Sequence, residues 1–296
     1  MRIDTHLHYW QPDCGFDNRP VADHEAYRRD FLPRDVAAEL ARSRIDGTVL
    51  VQTAPQVEET AWLVDLARGE PTVWGVTGWV DLDADAGATA IDALAREPVV
   101  VGVRAQLRRI ADDRFILRPR VLANLGHALT LGLGVTVLAE PRHYPHLREA
   151  LGALPPGPVV FNHLAMVTPR ADRAAWVGAL RTLAARPQTF VQLSGLPFLF
   201  GAAWRSADAL SVLDTAYDIL GARRLVFASD WPMLVRFARY GDWVGCVESL
   251  LARRGASEAD TAAVFGGNAL ACLPRLSPRT LSNPRPRSQP ATEERR

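Results

Sequence analysis

The chain opens Met1-Arg2-Ile3-Asp4-Thr5-His6-Leu7-His8. Residues 2–6 read as a short strand, and two histidines at i and i+2 of an extended segment project to the same side. Seven more short, β-branched apolar runs follow, at 47–52, 72–79, 99–104, 133–139, 158–163, 189–194 and 224–229. Several of them, such as 99–103 and 159–161, are nearly unbroken apolar stretches, as expected of strands buried on both faces. Between them, residues 34–44, 57–68, 119–131, 145–154, 170–185, 208–220 and 242–253 place Ala, Leu and Val at helical spacing. Pro119 and Pro145 suit first-turn positions, and Gly221 suits a helix end. Eight strands alternating with helices predict an α/β fold, a (β/α)8 TIM-like barrel. An open doubly wound sheet is the alternative, and no GxGxxG after the first strand supports its dinucleotide-binding version. The histidine pair then stands at the C-terminal end of strand one, on the face where barrels keep their chemistry.

Composition bounds the rest. The 296 residues suit one barrel, typically about 250 residues plus extensions, so 1–276 are expected to form a single domain. The tail 277–296, rich in Pro, Ser and Arg and without apolar periodicity, is expected to be disordered. The polar stretch 11–31 reads as an insertion over the barrel mouth. No apolar run reaches the ~18 residues of a membrane span, and Met1 leads directly into a strand without a basic-then-apolar leader, so the expected location is cytoplasmic. Cys14, Cys246 and Cys272 lack CxxC spacing and read as free thiols. A formal net charge of +1 gives no footprint for nucleic acid. All 34 basic residues are arginine. That excludes a Schiff-base lysine, a P-loop lysine and a carbamylated-lysine metal bridge.

Further strand ends carry polar side chains. Phe161-Asn162-His163 closes the sixth, Ala228-Ser229-Asp230-Trp231-Pro232 closes the eighth, and Arg104 ends the fourth. Strands one and eight are neighbours in a closed barrel, so Asp230 is expected to face His6 and His8 across the seam, with His163 two strands away. Three imidazoles and a carboxylate on one small volume can bind a divalent metal such as zinc, or polarise a carbonyl without one. Arg104 is a candidate to grip a substrate carboxylate. Trp10 and Trp231 are candidates to wall the pocket or to pack beneath it. Arg108, Arg109, Glu140 and His24 read as loop residues, each also within reach of such a mouth.

Together with Gly102-Val103-Arg104, Asn162-His163-Leu164, Leu193-Ser194-Gly195-Leu196, Ser229-Asp230-Trp231-Pro232 and Phe265-Gly266-Gly267-Asn268-Ala269, the histidine pair resembles the amidohydrolase-related proteins of the lactonase branch. That group includes L-fuconolactonase, L-rhamnonolactonase and 2-pyrone-4,6-dicarboxylate lactonase. The resemblance runs from about Arg2 to Leu273. It implies lactone hydrolysis in a barrel of the metal-dependent hydrolase type, with a metal weakly bound or absent. It places the general base at Asp230, the family's histidines at His6, His8 and His163, and its substrate-contacting arginine at Arg104. Asn162 stands where the family usually has Asp, and Gln192 where it often has Lys, so no particular lactone carries over. Two other readings remain open: a metal-dependent decarboxylase of the aminocarboxymuconate type, and a catalytically altered barrel that binds a small acid. A homo-oligomer is compatible with all three.

The chemistry stands without the family. Water attacking an ester carbonyl needs a base, which Asp230 can be, and the oxyanion needs donors or positive charge, which the histidines or a metal can supply. No GxSxG elbow is present.

Overall fold

A computed structural model of the chain describes residues 1–12 and 25–279. Eight strands, β1 (Ile3–Leu7), β2 (Gly47–Val51), β3 (Val73–Gly78), β4 (Val100–Gln106), β5 (Gly134–Leu138), β6 (Val159–Phe161), β7 (Thr189–Leu193) and β8 (Leu225–Phe227), lie in one sheet in sequence order. Every consecutive pair is parallel. A parallel bridge between Leu7 and Trp231 brings the last strand back to the first. Each strand is followed by a helix: α1 (Pro33–Arg42), α2 (Val57–Gly69), α3 (Gly87–Arg96), α4 (Pro119–Thr130), α5 (Tyr144–Ala153), α6 (Arg173–Ala184), α7 (Ala207–Leu220) and α8 (Tyr240–Arg253). This is the (β/α)8 barrel that the apolar runs predict.

The differences from the sequence reading have local causes. Helix α3 has no counterpart among the predicted helices, because its sequence is mostly small residues and only Ile91 buries a large side chain. Strands β6 and β8 stop short of their expected ends because the backbone turns into left-handed φ at His163 and at Asp230. Gly266, Gly267 and Asn268, residue types that tolerate positive φ, are helical and continue into a last turn at Asn268–Cys272. Glycine is required at 266 by proximity: a Cβ there would lie 2.5 Å from the Met1 carbonyl oxygen. Asn268 donates from Nδ2 to the carbonyls of Ala222 and Leu225, both at 2.8 Å, tying the C-terminal segment to the start of β8.

One apolar cluster lies between the sheet and the helices, and a second plugs the bottom of the barrel. In the second, Ile3, Val49, Val101, Val160 and Val226 meet Ala269, Cys272 and Leu276 of the C-terminal segment. With that end filled, the open end is the C-terminal one. Trp10, just past β1, exchanges backbone hydrogen bonds with Phe31, which begins the approach to α1. Cys14, His24 and the residues from 280 onward lie outside the described residues. Among those described, no helix is long and apolar enough to cross a membrane.

Candidate active site

The seam between β8 and β1 sets two of the site's elements against each other. The Asp230 N–H donates to the His6 carbonyl at 2.8 Å, and the His8 N–H donates to the Trp231 carbonyl at 2.7 Å. Behind them the buried Asp4 carboxylate accepts from the N–H groups of Ser229 (2.9 Å) and His6 (3.1 Å) and from the Tyr240 hydroxyl (2.8 Å). Burial pushes the Asp4 carboxyl up to about 6 against the pull of those donors. Asp230 has φ 58°, and His163, Leu164, Ala165 and Met166 have φ of 51°, 53°, 55° and 60°. Left-handed backbone costs a non-glycine residue about 1–2 kcal/mol. Such conformations persist where surrounding structure over-determines them, and they cluster at functional sites.

The hydrogen-bond network fixes two of the histidine tautomers. Gln192 donates from Nε2 to the Thr5 carbonyl at 3.1 Å, which aims its Oε1 at His6 Nδ1, 2.9 Å away. That oxygen also accepts from Asn162 Nδ2 at 2.8 Å. His6 therefore carries its proton on Nδ1. His8 Nδ1 faces the Val51 carbonyl at 2.5 Å and must donate as well. Both Nε2 atoms are left with lone pairs, and they face each other at 3.1 Å. Two lone pairs at that separation repel unless a proton or a cation lies between them. The Asp230 Oδ1 is 3.8 Å from His6 Nε2 and 3.5 Å from His8 Nε2. Burial, and after it the electrostatic influence of His163, His8 and Arg104, hold His6 well below the usual imidazole range. Two imidazoles and a carboxylate, with ligand atoms all within 4.8 Å of one another, form a donor set that suits a divalent ion. His163 stands beside this trio, its Nε2 3.8 Å from the same Asp230 oxygen and its Nδ1 2.9 Å from the Ser194 hydroxyl. Burial lowers His163 to about 4, partly opposed by the Asp230 charge.

These groups open into a cavity of about 340 Å³ at the C-terminal end of the barrel. Polar residues (His8, Thr53, Arg104, Gln106, His163 and Asp230) and apolar ones (Leu138, Met166, Phe198, Leu199 and Met233) share its lining. Arg104 is buried and donates from Nη1 to the Gln52 carbonyl, while its Nε has no partner among the described residues. Burial lowers its guanidinium to about 10, opposed by the charges of Asp230 and Glu59, so it stays protonated at neutral pH. Glu59, on α2, is also buried. It accepts from the Thr53 N–H (2.9 Å), the Thr53 hydroxyl (2.7 Å) and the Ala54 N–H (2.5 Å), and burial pushes its carboxyl up to about 7.

His6, His8, His163, Asp230 and Arg104, the polar residues singled out from strand ends, are all brought together here. Trp10 and Trp231 are not among the lining residues. Both pack edge-on against Phe31. Arg108 lines the mouth and pairs with Glu140 at 3.2 Å, and Glu140 also pairs with Arg142 at 3.2 Å. Glu140 itself is outside the cavity lining. Four residues receive no role from the sequence. Gln106 had a legible signal, lying two residues past Arg104 on the same face of β4. Thr53 and Ser194 follow strand ends among many such hydroxyls, and Glu59 sits mid-helix, where nothing in the sequence marks a buried carboxylate.

Comparison with known proteins supports the same fold. Residues 3–275 match the family described as Amidohydrolase. An L-fucono-1,5-lactonase of Burkholderia ambifaria is 37% identical over 284 residues, covering 91% of this chain and 94% of the relative. An L-fucono-1,5-lactonase of Burkholderia multivorans is 30% identical, covering 92% of this chain and 95% of the relative. Among solved structures, an amidohydrolase from Burkholderia multivorans with bound zinc superposes with a TM-score of 0.85 at 29% identity, covering 94% of this chain and all of the other.

Proposed function

We propose that this chain, which belongs to the amidohydrolase family, opens the ring of a small polar lactone by attack of water. One observation carries the reading: around the ends of β1, β4, β6 and β8, the Asp230 carboxylate, the His8 and His163 imidazoles and the Arg104 guanidinium line a single small cavity, with His6 buried against His8 and Asp230. Relatives named L-fucono-1,5-lactonases cover nearly the whole chain, which favours sugar-acid lactones within that class. The cavity volume is at the lower end of the range of about 300–1,000 Å³ usual for small-molecule sites. Its mixed polar and apolar lining suits a small ring that carries both hydroxyls and C–H groups.

In this mechanism Asp230 accepts the proton of the attacking water, and it later returns that proton to the leaving ring oxygen. His163 is neutral near pH 7. With the Ser194 hydroxyl donating to Nδ1, its Nε2–H points into the cavity and stabilises the oxyanion. Arg104 orients the polar edge of the substrate and then the product carboxylate. Gln192 and Asn162 hold His6 in one tautomer. His6, His8 and Asp230 would hold a divalent ion such as zinc, which when bound supplies Lewis acidity beside the carbonyl.

A panel of sugar-acid 1,5- and 1,4-lactones and a pyrone dicarboxylate, followed by acid release at pH 7, tests the activity. The expected result is turnover of a sugar-acid lactone with kcat/KM on the order of 10⁴ M⁻¹s⁻¹ or more. Inertness towards every lactone, with CO2 released from an aromatic or muconate acid, would transfer the protein to the decarboxylases. Inertness towards both would leave a binding barrel.

The facing lone pairs give a separate expectation. Zinc at about a hundred times its dissociation constant should stabilise the fold by about 2.7 kcal/mol, read as a higher Tm that a chelator reverses. His8→Ala should abolish that shift. An unmoved Tm at saturating zinc would count against the donor set.

A further inference from the structure

We infer that Tyr144 and Trp176, two residues of the outer helical ring, are positioning residues for His163. The inference rests on the reading that His163 serves lactone hydrolysis. His163 stands on four consecutive non-glycine residues in left-handed φ. A turn of that hand aims its carbonyls differently from an ordinary helical turn. In this protein two of them meet side chains from outside the barrel. The Tyr144 hydroxyl, at the start of α5, donates to the Ala165 carbonyl at 2.5 Å, and the Trp176 indole N–H, in α6, donates to the Leu164 carbonyl at 2.8 Å. Leu164, Ala165, Tyr144 and Trp176 are all buried, so an unpaired carbonyl there lacks ready replacement by water. Burial raises the Tyr144 phenol, which stays a neutral donor across the working range of pH.

The turn and the imidazole are coupled from the other side too. A Cβ on Gly195 would lie 2.7 Å from the His163 Cβ and 2.9 Å from its Cγ, and the Ser194 hydroxyl holds Nδ1 at 2.9 Å. The ring has one place to be while the turn keeps its hand. If the turn relaxes to right-handed φ, the Cα–Cβ direction of His163 changes and Nε2 leaves Asp230. Met166, the last residue of the turn, lines the cavity and would move with it. The two outer donors therefore set the direction of a group that neither of them touches.

Two conservative variants remove the donors and keep the rings, Tyr144→Phe and Trp176→Phe. Each is expected to lower kcat about ten- to hundredfold, the scale of a small misplacement of a reacting group, with KM little changed. Glycine adopts left-handed φ without a steric penalty, so adding Ala165→Gly to either variant is expected to restore most of the lost kcat. The histidine NMR resonances of His163 should shift in Tyr144→Phe and return in Tyr144→Phe/Ala165→Gly. A purely structural role for Tyr144 and Trp176 would lower Tm while leaving kcat and the His163 resonance in place. That outcome, or a lost kcat that Ala165→Gly does not recover, overturns the inference. Ala165→Gly alone covers the case in which the Phe variants do not fold. With residue 165 left-handed, its Tm should hold or rise, and a clear fall refutes the turn. If the parent protein opens no lactone the proposed function fails, yet the resonance of His163 still decides its positioning.

Discussion

Asp230→Asn is expected to lower kcat by about 10²–10⁴-fold, the range associated with a positioned general base, with KM and Tm close to those of the parent. The substitution is isosteric, and the Asp230 backbone keeps its hydrogen bond to the His6 carbonyl, so the seam should survive. What is lost is the acceptor for the proton of water. The variant also has a signature that a general weakening of the fold lacks. The Asp230 charge is what raises the His163 imidazole against the effect of burial. Without it, the pKa of His163 should fall below its value of about 4, measurable by NMR titration. Arg104 should move down likewise, since Asp230 is the larger of the two charges supporting it. A variant within tenfold of the parent kcat would remove Asp230 from the role of base. A rise in the His163 pKa would show that the two side chains do not meet in solution.

The backbone plan was legible because each strand is a short apolar run, and its alternation with helical segments leaves few topologies. The polar site was legible for a related reason. In a closed barrel a strand's last residue faces a known end, so histidines at 6, 8 and 163, Asp230 and Arg104 could be placed together from sequence positions alone. The untouched part lies outside that rule. Trp10 and Trp231 also follow strand ends, but side chains in loops have no such constraint, and theirs turn to Phe31. Glu59 holds Thr53 and Ala54, just past β2, close enough for its charge to act on Arg104, a placement set by how α2 packs against β3. The left-handed turn at 163–166 contains no glycine or asparagine to announce it. Two of its carbonyls are met by donors on the two helices that flank it in the chain, Tyr144 of α5 and Trp176 of α6.

Arg104→Leu joins stability to activity in a way that depends on Glu59. The guanidinium is buried, is supported by the charges of Asp230 and Glu59, and donates to the Gln52 carbonyl. Removing one member of a buried charged pair typically costs about 3–5 kcal/mol. Part of that cost is avoidable here, because Glu59 titrates near neutrality. Its folded pKa of about 7 lies above the ordinary 4.5, so the folded state holds this proton more tightly than the unfolded chain does. Its contribution to stability therefore falls as pH rises from about 4.5 through the folded value. Arg104 is one of the influences that lower Glu59. In the leucine variant the folded pKa moves higher still, and the window of falling stability extends further to the alkaline side. The Tm gap between parent and variant should consequently widen from pH 5 to pH 9. A constant gap, or one that narrows, would show that Glu59 is not the partner. For activity, losing a hydrogen bond to a charged group, worth about 1.5–3 kcal/mol, corresponds to roughly ten- to a hundredfold in kcat/KM. Arg104→Lys separates the two functions. It restores a positive charge opposite Glu59 and should recover much of the stability. It lacks the planar fork that could serve the Gln52 carbonyl and a substrate oxygen together, so kcat/KM should stay low. Recovery of both by lysine would mean that charge alone, without directed donors, is what the cavity needs at this position.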